Sequence, residues 1–150
     1  MKKYLSLIIV VIGLNNCKVQ KMPLDCKNLI APSLESSSLF PQNEIVRDTM
    51  SKKIKLIFEQ KFDDSMSVFV NEKLVNKTKV FTNASLGVST NFISLDYGIY
   101  TSMPKITLVL SNKKATCVSF YPVLGKRIAY INFIKELWDI EMSNVIREYR

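Results

Sequence analysis

The sequence contains no histidine. Histidine is the commonest general base, proton shuttle and metal ligand near neutral pH, so its absence removes most hydrolase and metal-site arrangements. Glycine and proline are scarce as well, with 4 and 5 residues in a chain of 150, and 47% of the residues are hydrophobic. Collagen-like, low-complexity and disordered chains have a different composition. The sequence therefore predicts a single folded domain with one hydrophobic core.

Motifs for catalysis are also scarce. The chain has no Gly-x-Ser-x-Gly, no Cys-x-x-Cys and no glycine-rich phosphate loop. Cys117 lies in an apolar stretch and has no histidine partner that would make it a thiolate. Carboxylate pairs of the kind used in glycoside hydrolysis have several candidates, but no spacing selects a pair. The candidates are Glu59, Glu72, Asp96, Glu136 and Glu141. We expect a protein that is not an enzyme and binds no cofactor.

Acidic and amide side chains near predicted turns are weak candidates for a calcium site. Asp63 and Asp64 are adjacent, and Asp96 lies in the same half of the chain as Asn83 and Asn91. Calcium loops of the EF-hand type need alternating aspartates followed by a bidentate glutamate, and the sequence has no such spacing. We therefore predict that the adjacent carboxylates are turn residues and that no metal is bound.

The apolar run near the beginning of the sequence is too short for a transmembrane helix. Lys2 and Lys3 precede an apolar run that extends from Tyr4 to Leu14. A membrane-spanning helix needs about 20 apolar residues, and this run has roughly half that number. A basic start followed by a short apolar run is typical of an export signal, which is removed from the mature protein.

The residues that end this run, Leu14-Asn15-Asn16-Cys17, resemble a relaxed form of the lipobox of bacterial lipoproteins. The resemblance covers the signal only. It implies a signal peptide over residues 1–16 and acylation of Cys17, for example with palmitate, as the new N-terminus. It also implies a cell-envelope location, and Lys18 differs from the aspartate that retains some lipoproteins at the inner membrane. The periplasmic face of the outer membrane is therefore favoured.

The chain is basic, and its positive charge is dispersed. The net charge is +8, and removal of Lys2 and Lys3 with the signal lowers it to +6 (8 − 2). The sequence has no run of five basic residues. It also lacks the alternation of basic and aromatic residues that is typical of nucleic-acid-binding motifs. We expect a solvated basic surface, membrane attachment through lipid, and no nucleic-acid partner.

Residues 17–43 are predicted to be a tether followed by an irregular segment, because apolar periodicity is weak there and helix- and strand-breaking residues are frequent. Cys26 interrupts this stretch. Once Cys17 is acylated, Cys117 is the only other cysteine, and a disulfide between Cys26 and Cys117 would fasten the segment to the domain in an oxidising compartment. The alternative is two separate thiols.

From Lys52 onward apolar and polar residues alternate, which predicts β-strands. The first strand contains Ile54, Leu56 and Phe58 and leads to a turn predicted at Asp63-Asp64-Ser65. A hairpin is predicted around Asn71-Glu72-Lys73. Further strands are predicted at 78–82, 88–95, 105–110, 115–121 and 127–133. This pattern indicates an all-β domain over residues 44–150, a β-sandwich of six to eight antiparallel strands, immunoglobulin-like or similar, with a small barrel as the other arrangement.

The C-terminal residues match two patterns. Trp138, Ile140 and Met142 alternate with polar residues as in a strand, whereas Trp138, Met142 and Val145 are also spaced as in a helix. We favour a hairpin that closes the sheet over a short C-terminal helix, because residues 128–133 already form a predicted strand and Lys135-Glu136 interrupts the apolar pattern. Trp138 is then predicted to lie in the core rather than to stack on a ligand.

Two classes of function remain. The first is a non-catalytic binding or structural module in the periplasm that uses loops or a sheet edge to hold a protein or an envelope polymer. The second is an immunity or inhibitor lipoprotein that neutralises a periplasmic toxin or enzyme. Co-purification with a membrane complex would favour the first, whereas tight binding of a toxin with rescue of growth would favour the second.

The lipobox resemblance predicts that residues 1–16 are absent from the mature protein and that Cys17 is acylated. Intact-mass spectrometry of protein extracted from membranes should show a chain that begins at Cys17 with added acyl mass. A Cys17→Ser variant should leave the membrane fraction. Retention of Met1 in the membrane-extracted protein, or membrane fractionation of the Cys17→Ser variant, would contradict the prediction.

Overall fold

The computed structural model describes residues 26–35, 52–59, 62–111 and 116–147. These residues form an all-β fold, as the sequence predicted, and contain no helix. The predicted signal peptide, Cys17 and the residues before Cys26 lie outside the described residues. The strands are β1 (Ser33–Leu34), β2 (Lys53–Glu59), β3 (Asp63–Val70), β4 (Lys73–Asn83), β5 (Val88–Asp96), β6 (Ile106–Leu110), β7 (Cys117–Phe120), β8 (Ile128–Ile134) and β9 (Leu137–Ser143).

The nine strands belong to one mixed sheet in the order β1-β9-β8-β2-β5-β4-β3-β6-β7, and the sheet curls into a half-barrel. β2 and β8 run parallel, as do β1 and β9, and the other neighbours are antiparallel. The predicted β-sandwich of antiparallel strands is therefore not confirmed, because two of the pairings are parallel and hydrogen bonding joins all the strands in one sheet.

The curl of the sheet encloses one main hydrophobic core. One half of the sheet is β9-β8-β2-β5 and the other is β4-β3-β6-β7. In β2 and β3, one from each half, inward apolar side chains alternate with outward ones, which is the period-two pattern of the sequence. The inward side chains include Leu56, Met66, Leu108, Val118 and Ile140. Their exposed fractions are 1% or less, so the two halves of the sheet bury their concave faces against each other.

Trp138 is part of this core, as predicted. Its side chain is 9% exposed, and its ring centroid lies 4.8 Å from that of Phe133 and 6.4 Å from that of Phe62. The indole Nε1 donates a hydrogen bond to Thr116 Oγ1 at 3.1 Å. The polar edge of the ring is thus satisfied while its apolar surface is packed, which is the usual arrangement of a buried tryptophan.

Two hairpins are closed by tight turns. Asn71 and Glu72 connect β3 to β4, and Lys135 and Glu136 connect β8 to β9, with positive φ values of 46°, 67°, 51° and 66°. Positive φ at both central residues is characteristic of a type I′ turn, whose twist matches that of the flanking strands. The predicted hairpins around Asn71 and at the C-terminal end are confirmed, and residues 144–147 are not helical.

The turn predicted at Asp63-Asp64-Ser65 is wrong. All three residues lie in β3, opposite Phe81, Val80 and Lys79 of β4. Asp64 is buried, and its Oδ1 accepts a hydrogen bond from the backbone N–H of Ser65. Three consecutive polar residues resemble a turn in the sequence, but here the pairing with β4 continues through them.

Part of the stretch predicted as a tether is ordered against the domain. Residues 26–35, which we call the 26–35 segment, cross from one end of the sheet to the other. Next to β7, Ser119 N–H donates to Asn28 O (2.7 Å) and Ile30 N–H donates to Ser119 O (3.0 Å). Next to β9, Leu34 pairs with Met142 in the two-residue strand β1. The segment thus connects β7, at one end of the strand order, with β9, beside which its own strand β1 forms the other end.

The 26–35 segment is fastened at its beginning. Cys26 and Cys117 lie at disulfide distance with their Cα atoms 5.9 Å apart, within the range for this bond. Cys26 packs with Phe69, Val109 and Cys117 in a second, small apolar cluster on the convex side of β3, β6 and β7. The pairing is the one that the sequence predicted.

None of the described residues forms a helix long and apolar enough to cross a membrane.

The disulfide closes a loop with a sequence separation of 91 residues. On the chain-entropy model such a loop contributes about 4 kcal/mol to the free energy of unfolding, so the Cys26→Ser, Cys117→Ser double variant should lose stability of that order in urea unfolding. Non-reducing peptide mapping of protein taken from the envelope should recover the two cysteines in one linked fragment. Free thiols at both positions, or a double variant as stable as the original chain, would contradict the prediction.

Candidate interaction edge and buried charge cluster

β4 and β5 separate soon after the turn that connects them. Their register contains only the pairs Thr82 with Ser89 and Asn83 with Val88, and Gly87 in this turn has a φ of 68°. Beyond these pairs β4 continues to Lys73 with β3 as its single neighbour among the described strands. β4 is 11 residues long, so most of one side of this strand is an open edge within the part of the chain that the structure describes.

The direction of the backbone groups on β4 follows from one hydrogen bond. Thr82 N–H donates to Phe62 O on the β3 side at 2.8 Å. Backbone groups of an antiparallel strand alternate in direction, so the N–H and C=O groups of Lys77 and Lys79 point away from β3. Both side chains are exposed. We call residues 75–79 of β4, with their outward backbone groups, the open edge.

The open edge is basic and partly apolar. Lys73, Lys77 and Lys79 are exposed along β4, and Val75 is exposed between the first two. Lys79 Nζ lies 3.2 Å from Asp63 Oδ1, but both side chains are about two-thirds exposed, and such pairs contribute little to stability. A segment that added to this edge would meet a row of lysines.

A buried charge cluster lies elsewhere, where residues 144–147 cross the convex side of β8. The Arg147 guanidinium contacts carboxylates from three elements. Arg147 Nη1 lies 2.9 Å from both carboxylate oxygens of Glu59, and Nη2 lies 2.6 Å from Glu141 Oε1. Arg147 Nε lies 3.6 Å from Glu35 Oε1. One side chain therefore connects β2, β9 and the 26–35 segment.

Tyr130 of β8 lies beneath this cluster. The Arg147 guanidinium carbon is 4.0 Å from the centroid of the Tyr130 ring. The Tyr130 hydroxyl donates to Val145 O at 2.8 Å and accepts from Arg147 N–H at 2.9 Å. Asn132 Nδ2 donates to Glu59 Oε2, and Ser143 Oγ donates to a carboxylate oxygen of Glu35. The cluster is thus a hydrogen-bonded network around Arg147.

Burial and charge act in opposite directions on these groups. Burial by itself lowers the pKa of Arg147, but the carboxylates of Glu141 and Glu59 outweigh it, so the pKa lies above its ordinary value and the guanidinium stays charged. Burial raises the pKa of Tyr130, although its contacts with Arg147 partly oppose this. The hydroxyl therefore remains protonated and able to donate.

The five carboxylates that were candidates for a glycosidase pair are distributed over several places. Glu59 and Glu141 come together, and Arg147 binds both. Glu72 and Glu136 lie in the two hairpin turns. Asp96 ends β5, where the backbone N–H of Gly98 and the ammonium of Lys53 hold the pKa of Asp96 below its ordinary value despite slight desolvation.

The candidate calcium ligands likewise do not converge. Asp63 pairs with Lys79, Asn83 Oδ1 accepts from Ser85 N–H in the β4–β5 turn, and Asp96 pairs with Lys53 at 3.5 Å. Among the residues that the structure describes, no three His, Cys, Asp or Glu side chains are placed to hold a metal ion. Each of these oxygens instead bonds to a neighbouring group.

One motif that is used in catalysis occurs without the arrangement it needs. Ser102 and Lys105 fit the spacing Ser-x-x-Lys, which brings the serine and lysine of some hydrolases together on a helix. Here the two residues lie in the non-helical connection between β5 and β6. Lys105 Nζ points to Glu72, with Oε1 at 4.0 Å. The spacing alone does not create a nucleophile and base.

No protein-family model, curated protein or solved structure matches this chain.

Arg147 should be important for stability. Arg147→Met would leave Glu59 and Glu141 without their guanidinium partner, and loss of one partner of a buried ion pair costs about 3 kcal/mol or more. Arg147→Lys should cost less, because it keeps the charge but not the forked geometry. Urea unfolding measures both variants.

A matched control is Arg127→Met, which removes a partly exposed arginine and should cost less than about 1 kcal/mol. An Arg147→Met variant that unfolds at the same urea concentration as the control would show that the cluster adds no stability.

Proposed function

We propose that this protein is a lipid-anchored protein of the bacterial cell envelope that acts as a non-catalytic binding module in the periplasm. The open edge of β4 is the observation that carries the binding role. Unpaired backbone groups on an edge strand form a template for an added strand, and many domains bind extended peptides in this way.

The side chains of the edge indicate the kind of partner. Main-chain hydrogen bonds would hold any extended segment, whereas Lys73, Lys77 and Lys79 favour a segment with acidic side chains. Val75 offers a small apolar contact between them. We therefore propose a protein partner that contributes an extended acidic segment.

The lipid anchor is proposed from the lipobox resemblance at Leu14–Cys17. It agrees with the Cys26–Cys117 pairing, because disulfides persist in exported proteins and are rare in the cytosol. We also propose that the two halves of the curled sheet act as the layers of a β-sandwich-like body. The core that they share supports this view.

Proline substitution on the outward side of β4 tests strand addition. Lys77→Pro removes an N–H that points away from β3, so the β3–β4 pairing should survive while the added strand loses a hydrogen bond. Lys77→Ala is the matched control that keeps the N–H. Crosslinking in intact cells followed by pull-down should capture the same protein with the original chain and Lys77→Ala, and at least tenfold less with Lys77→Pro.

Lys79→Pro should behave like Lys77→Pro, and near-unchanged melting temperatures would show that the variants are folded. Equal capture by the proline and alanine variants would reject strand addition at β4. Failure of every form to capture a protein would reject the binding module altogether. If the captured protein is a toxin whose activity the chain suppresses, the module serves as an immunity protein instead of an assembly component.

A further inference from the structure

A pocket of about 500 Å³ lies at the end of the sheet where the parallel strands β2 and β8 begin and β5 ends. Its volume is within the range of small-molecule sites. The wall on one side comes from residues 144–146 after β9. The open edge residues of β4 do not line it, so the pocket is a separate feature from the proposed protein-binding edge.

The pocket is rich in positive charge. Lys53, Lys55 and Arg127 line it together with one carboxylate, that of Asp96. Lys53 is paired with Asp96, whose other oxygen is held by Gly98 N–H. Within the described part of the chain, neither Lys55 nor Arg127 has a carboxylate at ion-pairing distance. Two cations of the pocket are therefore available to an anionic ligand.

These two cations are attached to well-fixed backbone. Lys55 N–H donates to Arg127 O at 2.8 Å across the parallel strands. Arg127 N–H donates to Asn144 Oδ1 at 3.0 Å, and Asn144 Nδ2 donates to Gly125 O at 2.8 Å. The ammonium of Lys55 also lies 4.2 Å from the centroid of the Phe92 ring. This attraction to the ring face supplies no hydrogen-bond acceptor to the ammonium, so its N–H donors remain for a hydrogen-bonding partner.

The pocket also has an apolar side. Among the residues that line it, Ile128 is buried, and Ile146 is 47% exposed. Ile146 is half-exposed beside two cations that have no carboxylate partner among the described residues, which fits a ligand with an apolar portion next to its anionic group. Lysine and arginine bind phosphate groups through charge-assisted hydrogen bonds, and a purely apolar or purely ionic ligand would use only half of these residues.

We propose that this pocket binds an amphiphilic organic phosphate, with Lys55 and Arg127 at the phosphate and Ile128 and Ile146 against the apolar portion. The proposal is independent of strand addition at β4. It predicts that both parts of the ligand contribute to affinity.

Three probes separate these contributions: hexyl phosphate, inorganic phosphate and hexanol. The full chain in a neutral detergent would be titrated with each, and backbone amide chemical shifts would locate the site. Hexyl phosphate should bind at least tenfold more tightly than either other probe and shift the amide signals of Lys55 and Ile128.

Variants of the lining residues test their roles. Lys55→Gln and Arg127→Gln should each weaken the binding of hexyl phosphate at least tenfold. Ile146→Ser should weaken hexyl phosphate and leave inorganic phosphate unchanged.

Lys27→Gln is the control, because it removes the same charge from an exposed residue that lines neither the pocket nor the open edge. Partition of the probe into detergent is common to all variants and cannot produce a difference between them. Equal weakening by Lys27→Gln would mean attraction to general surface charge and would overturn the proposal. So would equal affinity for hexyl phosphate and inorganic phosphate, or unchanged binding in the Lys55→Gln and Arg127→Gln variants.

Discussion

The fold depends on the connection that the 26–35 segment makes between the two ends of the sheet. A curled sheet that does not close has two terminal strands with unsatisfied backbone groups. Here the segment pairs with β7 near Ser119 and with β9 near Met142, and the Cys26–Cys117 pair fixes its beginning. The Trp138–Thr116 hydrogen bond joins the same two ends directly. Ile30 of the segment also packs against the core.

A second connection acts on the convex side. Arg147 joins Glu59, Glu141 and Glu35, which belong to β2, β9 and the 26–35 segment, so the charge cluster restrains the same end of the sheet from outside. Neither connection includes β4 or β5. These two strands are neighbours in the middle of the strand order, and they separate soon after the turn that joins them. Connection at one side and an open edge at the other agree with the proposed binding of a partner by strand addition, which requires no rearrangement of the domain.

The sequence predicted the strands well because alternation of apolar and polar residues is a local property. Ile54, Leu56 and Phe58 face the core for that reason, and the hairpin at Lys135-Glu136 followed from a polar interruption between two strands. β1 was missed because a two-residue strand has no pattern of its own and exists only through Met142 and its neighbours on β9.

The charge cluster could not be found from sequence spacing either, since Glu35, Glu59 and Arg147 are far apart in the chain. Two signals for it were present: Glu59 is a carboxylate at the end of an apolar strand, and Arg147 is one of only four arginines in a lysine-rich chain. The open edge of β4 could not be predicted from the sequence either, because it depends on where β5 separates from β4.

Hydrogen–deuterium exchange is the most direct test of the central claim, which is strand addition at β4. The amides of Lys77 and Lys79 should exchange quickly in the isolated protein and become strongly protected in the envelope-bound form, whereas equal exchange in both forms would contradict strand addition at β4.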